Sequence, residues 1–564
     1  MKSQLINTLK TILDEVLEES HVSSNDVVKQ IEFAHDGDYF NTMLMLDKEN
    51  FLQAIQSLLA NVSMKKIAIY PCNSYIEQIV ELLEAYELVI CDDYKQGDVV
   101  QGHCVVSTDI LNAETFDMVL IISYRDLVRD NLLQKLHRTD NLFWIYDVVK
   151  RYIERDTDIF AKLLSKKADF EKVDRLLEKI HAAKRPIVSL NGFLFNNYGP
   201  TYRALKAQGY EPFVVTRNQA LCYAKPQSQI DEFVIEESVQ LELLEMIYLC
   251  QNLQKAVVLV NDISFLIPSF DASKAIVNFS FVTMLLKMLH VPKFLFLYDV
   301  IHSVMKNHHD ADTYFRIYQK ALSSADGLIC NSNTAEVHTT IRYALGIKKP
   351  MLSFYRYNEF VPKMKPKRDD GSFHLVIIGG MDDKLRDSTM MLKKILSQKI
   401  HVHNYVNNNA IHEFWCQLDE EQRRYFHRHD SIVSQYALIE EISQYHAGWI
   451  MDNGFEVLSM INSAENKAFK EMLMMFRLTT ISSSLLAMGA AGLPMFLNKM
   501  VVHVTYHFPK EFFIAIEEPE VERFSEMVAD IDWEERYNVT QAKRALFSID
   551  AHIKTLTTWL DARS

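Results

Sequence analysis

The chain has 564 residues, of which 48% are hydrophobic and 11% aromatic, an ordinary globular balance. That length exceeds what one hydrophobic core can hold and calls for about three or four domains. A formal charge of −14 excludes a protein that holds nucleic acid through its overall field, which needs a basic face, but leaves room for a local basic pocket for phosphate. Fifteen glycines and thirteen prolines are too few for long disordered linkers. The seven cysteines (Cys72, Cys91, Cys104, Cys222, Cys250, Cys330 and Cys416) are scattered, odd in number and without CxxC spacing. This pattern indicates neither a disulfide framework nor a zinc site and fits reduced thiols in the cytoplasm.

From the amino end, Met1 to Glu19 alternates charged and apolar residues and reads as an amphipathic helix, without the unbroken apolar core of a signal peptide. Residues 1 to about 60 are helix-periodic, with Leu5, Leu9, Ile12, Leu13 and Val16 on one face. From Lys66 short apolar runs alternate with amphipathic helices, which predicts a small parallel sheet in the first 140 residues. Residues 141–185 are charged and helix-periodic, and read as a helical connector. A second alternating block spans 186–362, with strands expected at Pro186 to Leu190, Phe213 to Thr216, Ala256 to Asn261, Phe294 to Tyr298 and Leu328 to Asn331. Its most apolar stretch, Ile276 to Ile301, is broken by Lys287, His290, Pro292 and Lys293, well short of a membrane span.

A third block, 363–564, follows a proline-marked hinge with Pro362 and Pro366, and ends in a helix through Trp559 suited to packing back across the molecule. The reading is α/β: two facing Rossmann-like domains, with a cleft at the carboxyl ends of their strands, and an additional N-terminal α/β domain.

Chemistry concentrates at a few places. In the third block a strand at His374 to Ile378 runs into Gly379-Gly380, followed by Lys384 and Arg386. Glycines at a strand end let backbone N–H groups approach a phosphate, which Lys and Arg can neutralise. The bland alternative is a solvated helix start. Downstream, Ser482-Ser483-Ser484 opens a helix that ends in Gly492-Leu493-Pro494; these serines could offer hydroxyls and N-terminal amides to phosphate oxygens, while Gly492 ends the helix in the left-handed conformation. In the second block, Tyr198-Gly199-Pro200 follows a strand and starts a helix. Asn331 ends another strand beside the natural N-caps Ser332 and Asn333.

Asp299 and His302 close a third strand there: an acid that could orient an imidazole as general base, or equally a helix cap. Four clusters are discounted. His308-His309 and His427-Arg428-His429 resemble metal ligands without the geometry, and Asp156-Thr157-Asp158 and Asp530-Ile531-Asp532 read as surface acids. Asp92 reads as a loop acid with no glycine fingerprint before it.

Residues 186 to 560 resemble the GT-B glycosyltransferases, specifically the group-one-like bacterial enzymes. The likeness rests on Tyr198-Gly199-Pro200, on Ala325-Asp326-Gly327 through Ser332, on Ile378-Gly379-Gly380 with Lys384, and on Ala487-Met488-Gly489-Ala490-Ala491-Gly492-Leu493-Pro494. It implies a metal-independent transferase with no bound cofactor, taking a nucleotide diphosphate sugar as donor and a glycan or protein hydroxyl as acceptor. Donor-binding residues would be Gly379, Gly380, Lys384, Arg386, Ser482, Ser483 and Ser484. The acceptor side would hold Tyr198, Gly199 and Asn331, with Asp299 and His302 as the catalytic pair. The chain departs from the family pattern at Thr479 and Ala487, which stand where a glutamate pair is usual. A noncatalytic, glycosyltransferase-like scaffold or chaperone subunit partnering an active enzyme therefore stays open. A nucleotide-dependent oxidoreductase is disfavoured because no GxGxxG follows a strand. The expected setting is glycan biosynthesis in the cytoplasm or at the inner membrane face, with homo- or hetero-oligomers left open.

Overall fold

The computed structural model describes residues 1–18, 20–33, 66–72, 76–93, 95–122, 132–133, 135–137, 141–144, 159–191, 198–217, 238–261, 272–297, 311–330, 345–355, 357–379, 389–405, 409–430, 432, 434–450, 483–498 and 507–564. The chain divides into a first unit, Met1–Ala168, and a second, Asp169–Ser264 with Pro268–Ser564.

In the first unit the strands are β1 (Lys66–Tyr70), β2 (Glu87–Cys91), β3 (Val99–Val100), β4 (His103–Val106), β5 (Met118–Ile121) and β6 (Leu142–Trp144). They form one sheet in the order β3-β4-β2-β1-β5-β6, parallel except for the β3–β4 pair. The helix Lys2–Val16 buries Leu5, Ile6, Leu9, Leu13 and Val16, the stripe its periodicity predicts, and packs on the helices Ser24–Phe33 and Ile159–Ser165. Asp92 is buried and accepts from the Cys72 amide at 3.0 Å, so it ties two loop ends together, as a loop acid does. Burial pushes the neighbouring Asp93 carboxyl up, but Lys135 and the Thr108 amide and hydroxyl outweigh it and hold the group down at about 2.

The second unit carries two sheets. One comprises β7 (Pro186–Asn191), β8 (Glu211–Thr216), β9 (Ser238–Gln240), β10 (Val257–Asn261), β11 (Lys293–Leu297), β12 (Gly327–Cys330) and β13 (Met351–Ser353), in the order β13-β12-β11-β10-β7-β8-β9. The other comprises β14 (His374–Ile377), β15 (His401–Asn404), β16 (Phe426–Arg428), β17 (Ala447–Ile450), β18 (Met495–Asn498) and β19 (Phe513–Ile516), in the order β16-β15-β14-β17-β18-β19. All pairings in both are parallel. Both begin at a central strand, grow outward on one side, then reverse, which is the doubly wound Rossmann order. The physical reason is visible in the strands themselves: β7, β10, β12 and β14 are buried at every residue, the mark of a sheet covered by helices on both faces.

The span 141–185 holds β6 and two helices. Ile159–Ser165 packs in the first unit, whereas Phe170–Ala182, capped by Asp169, lies on the helix Leu243–Asn252 of the second. At the carboxyl end the chain returns to the first sheet of its unit. The helix Ile553–Asp561 places Trp559 5.0 Å from Phe294, ring centre to ring centre, and Asp561 accepts from the Tyr210 hydroxyl at 2.6 Å. One hydrophobic cluster thus runs from Ile187 and Phe294 through Phe354, Tyr357 and Val361 of the connecting segment to Val376, Leu486 and Phe547.

Candidate functional site

In the second sheet of the larger unit the topological switch point lies between β14 and β17, so the carboxyl end of β14 is where such a fold opens a binding crevice. There the chain turns at Gly379 with φ +112°, a conformation closed to residues with a Cβ. The helix Ser483–Ala490 begins against this turn: the Ser484 hydroxyl donates to the Ile378 carbonyl at 2.9 Å, across 106 residues of sequence. Two motifs that are remote in sequence therefore meet at one strand end. Because the Ser484 hydroxyl proton is committed to Ile378, what this residue has left for an anion is its backbone N–H, one of the donors for which a helix start supplies no intrahelical partner. Gly492, at φ +66°, ends the same helix, and Leu493 N–H bonds back to Met488 O at 3.0 Å, as its sequence predicts. Gly379→Ala is expected to lower stability by about 1–3 kcal/mol through backbone strain; denaturant unfolding with an unchanged midpoint would contradict it.

Of the other expected donor residues, Ser483 lies in the helix without a described side chain. Gly380, Lys384, Arg386 and Ser482 lie outside the described residues. Ala487 is buried within the helix, so this turn presents no carboxylate where the resemblance calls for one; Thr479 also lies outside. On the other sheet, the helix Tyr198–Ala207 starts at Tyr198-Gly199, with Gly199 buried. Asp299, His302 and Asn331 lie outside the described residues.

Two arrangements escaped the sequence reading. At the carboxyl ends of β7 and β10, the first sheet's own switch point, Ser189, Asn191, Tyr202 and Asn261 form a buried polar network. The Asn191 amide donates to Ser189 Oγ at 3.0 Å, the Asn261 amide reaches both Ser189 Oγ at 3.3 Å and Asn191 Oδ1, and Ser189 bonds the Tyr202 hydroxyl. Burial pushes the Tyr202 phenol up to about 12, which keeps it a neutral hydroxyl.

The second is an array of imidazoles across β14, β15 and β16. Leu375, Ile377, Val402 and Phe426 point into one core, so the alternate residues His374, His401, His403 and His427 share the opposite face. Their rings stack: His374 on His401 at 4.6 Å, His403 on His427 at 4.4 Å and His401 on His427 at 5.0 Å. His374 Nδ1 meets His403 Nε2 at 2.8 Å, His403 Nδ1 meets His429 Nε2 at 3.0 Å, and His401 Nδ1 meets His427 Nε2 at 2.7 Å. Burial, before any neighbouring charge, pushes His401, His403 and His429 down and brings His427 and His446 to about 4. The ring nitrogens face each other in pairs, and among the described residues no group of three or more ligating side chains could hold a metal ion. The signal in the sequence was the His-x-His spacing at 401–403 and 427–429, which on strands puts both rings on one face. Elsewhere Asp532 caps the helix Trp533–Lys543, accepting from Glu535 N–H at 2.9 Å, so this acid is structural.

No family model matches the sequence, and no curated protein matches it. Among solved structures, the chain is similar to a sucrose-phosphate synthase from Thermosynechococcus elongatus: 12% identity, 68% of this chain, 100% of that chain, TM-score 0.45. It is also similar to UGT2 of Phytolacca americana, solved with UDP-2fluoro-glucose and pterostilbene: 9% identity, 67% of this chain, 99% of that chain, TM-score 0.40. A third similar structure is described as a UDP-N-acetylglucosamine 2-epimerase from Listeria monocytogenes: 9% identity, 66% of this chain, 95% of that chain, TM-score 0.38. The two successive parallel sheets of doubly wound order, with the carboxyl terminus returned to the first, are the two Rossmann-like domains that the sequence leads one to expect. Among the described residues no helix is long and apolar enough to cross a membrane.

Proposed function

We propose that the chain is a glycosyltransferase that moves a sugar from a nucleotide diphosphate sugar to a hydroxyl of a glycan or protein. The observation that carries this reading is the meeting of the Gly379 turn with the start of the helix Ser483–Ala490 at the β14 switch point. A glycine turn of positive φ next to a helix start suits a diphosphate and requires no metal. Lys384 and Arg386, five and seven residues past Gly379, would supply positive charge to the leaving diphosphate, with Gly380, Ser482 and Ser483 completing the cradle. Tyr198, Gly199 and Asn331 would line the acceptor side, where Asp299 would orient His302 as base.

A panel of nucleotide sugars assayed for hydrolysis and transfer tests the reading: turnover of one donor supports it. Lys384→Ala is expected to weaken nucleotide diphosphate binding by about 1–3 kcal/mol through loss of a charge-assisted bond. Equal affinity of variant and parent in calorimetry would remove Lys384 from the site.

One observation favours a second reading. Ala487 leaves the helix without the carboxylate its place in the motif usually carries. A scaffold subunit that binds nucleotide without turning it over would show a thermal shift with the donor and no hydrolysis. It would pair with an active transferase as partner.

A further inference from the structure

The histidine array contains one directional hydrogen-bonded chain that ends at the carboxyl edge of its sheet. It starts at Asp370, an exposed residue before β14 whose two carboxylate oxygens lie 3.0 Å from His374 Nε2. The bond to His374 holds that carboxyl down at about 2, so it is an anion that can only accept. Acceptance by Asp370 places the proton of a neutral His374 on Nε2 and leaves its Nδ1 bare. His374 Nδ1 must then accept from His403 Nε2 at 2.8 Å, and His403 Nδ1 from His429 Nε2 at 3.0 Å. Each link fixes the tautomer of the next ring, and the last bare nitrogen is His429 Nδ1. Among the described residues no hydrogen bond involves this atom.

His429 follows β16, its amide bonded to Asn404 O at 2.8 Å, so it stands at the same carboxyl edge as Gly379, with β15 between them. Two strand spacings are about 10 Å, which leads from the diphosphate turn toward the nucleoside side of a bound donor. The ring is held flat on Tyr405, with centres 4.5 Å apart and planes within 10°, and is only partly buried.

We propose that Asp370, His374 and His403 are positioning residues that lock His429 as a fixed hydrogen-bond acceptor, through Nδ1, for an N–H or O–H group of the donor's nucleoside. The proposal rests on the nucleotide-sugar reading for its ligand but not for its tautomers. The charged and titratable groups around the chain are Arg368 and Lys367 before β14, His401 on β15 and Tyr405 just after it, His427 and Asp430 on and after β16, and Glu441, Tyr445 and His446 from the helix Gln435–Ile442 and the turn after it.

Two measurements on the full chain decide it. Long-range proton–nitrogen NMR of the histidine rings at neutral pH should show His374, His403 and His429 each protonated at Nε2 and bare at Nδ1. In Asp370→Asn the His429 signal should become a mixture of tautomers. A His429 protonated at Nδ1 in the parent overturns the lock. Calorimetry with UDP, GDP and ADP follows. His429→Ala should lose about tenfold in affinity for the diphosphate that binds best, and His429→Asn, whose amide oxygen accepts, should recover most of it. Unchanged affinity in His429→Ala overturns the ligand contact. If none of the three binds the parent protein, the nucleotide-sugar reading fails together with the ligand contact, and the tautomer lock is still judged by the NMR result.

Discussion

Phe547→Ala should lower the stability of the larger unit by about 3–5 kcal/mol, the upper range for truncating a buried aromatic side chain. Phe547 is fully buried, stacked on Phe508 with centres 4.3 Å apart and edge-on to Phe512 at 4.6 Å. Its ring lies so close to Gly489 that a Cβ built there would fall 2.3 Å from it, which explains a glycine in the last turn of the helix Ser483–Ala490. Next to it, the Arg544 guanidinium donates to Ala490 O at 3.3 Å and to Pro362 O at 2.6 Å, and covers the Phe360 ring. One knot therefore joins three segments: the connection between the two sheets, the helix that starts at the candidate site, and the carboxyl-terminal segment that returns to the first sheet. Truncating Phe547 frees the helix end opposite Ser484, so the loss should extend to ligand binding. Gly489→Ala should act in the same direction by about 1–3 kcal/mol through overpacking, and Phe547→Leu should partly relieve it, because the two residues share one contact. Denaturant unfolding of the single and double variants measures all three; a loss below about 1 kcal/mol for Phe547→Ala would show that the knot is not where the unit is held.

The fold was legible because its strands are short apolar runs bounded by glycine, proline and polar turns, and because parallel sheets buried on both faces show no alternation to confuse the reading. Val257–Asn261 and His374–Ile377 are examples. The candidate site was legible as two motifs, Ile378-Gly379-Gly380 and the serine-led helix, since each carries a backbone requirement that few residue types meet. Their contact through Ser484 and Ile378 was not, because nothing local specifies which strand end a helix start will meet. The buried polar network of the first sheet was missed for a related reason. Asn191 and Asn261 each end an apolar strand, where a lone asparagine reads as a turn former, and only the β7–β10 pairing brings them together. His427 and His429 were discounted as metal ligands, and among the described residues no metal-holding group forms. What sequence neighbours do not reveal is the register: the pairing of His374 with His401 and of His403 with His427 stacks side chains that lie 24 to 27 residues apart.

Acid should destabilise this half of the unit well before its carboxylates titrate. His401, His403, His427, His429 and His446 all have folded pKa values pushed below the ordinary value near 6.5, with His427 and His446 at about 4, because burial and crowding by one another disfavour the imidazolium. The unfolded chain therefore binds more protons than the folded one as pH falls below 6.5, and stability must fall with it. Their contribution is complete above about pH 6.5 and is progressively lost toward about pH 4. The opposing groups do not mask this window. The Asp370 carboxyl is held at about 2 and Glu441 is also held down, so their own losses begin only near and below the ordinary carboxylate range. Lys367, which burial brings to about 7 while it donates to Ser443 O and Tyr445 O, changes charge just above the window; its depressed value makes its penalty grow as pH falls past the unfolded lysine value and level off below about 7, so it adds no slope between 6.5 and 4. With a discount for solvent at the half-exposed rings, the five histidines together should cost on the order of 2–3 kcal/mol between pH 7 and pH 5. Urea unfolding followed through Trp415, Trp449 and Trp533 at the two pH values reads this directly, and a pH-independent midpoint would mean the rings stay solvated enough to protonate in place. Replacing the His401–His427 pair by glutamines should flatten the dependence without removing the Asp370 chain, since those two rings stack on that chain and are not links in it.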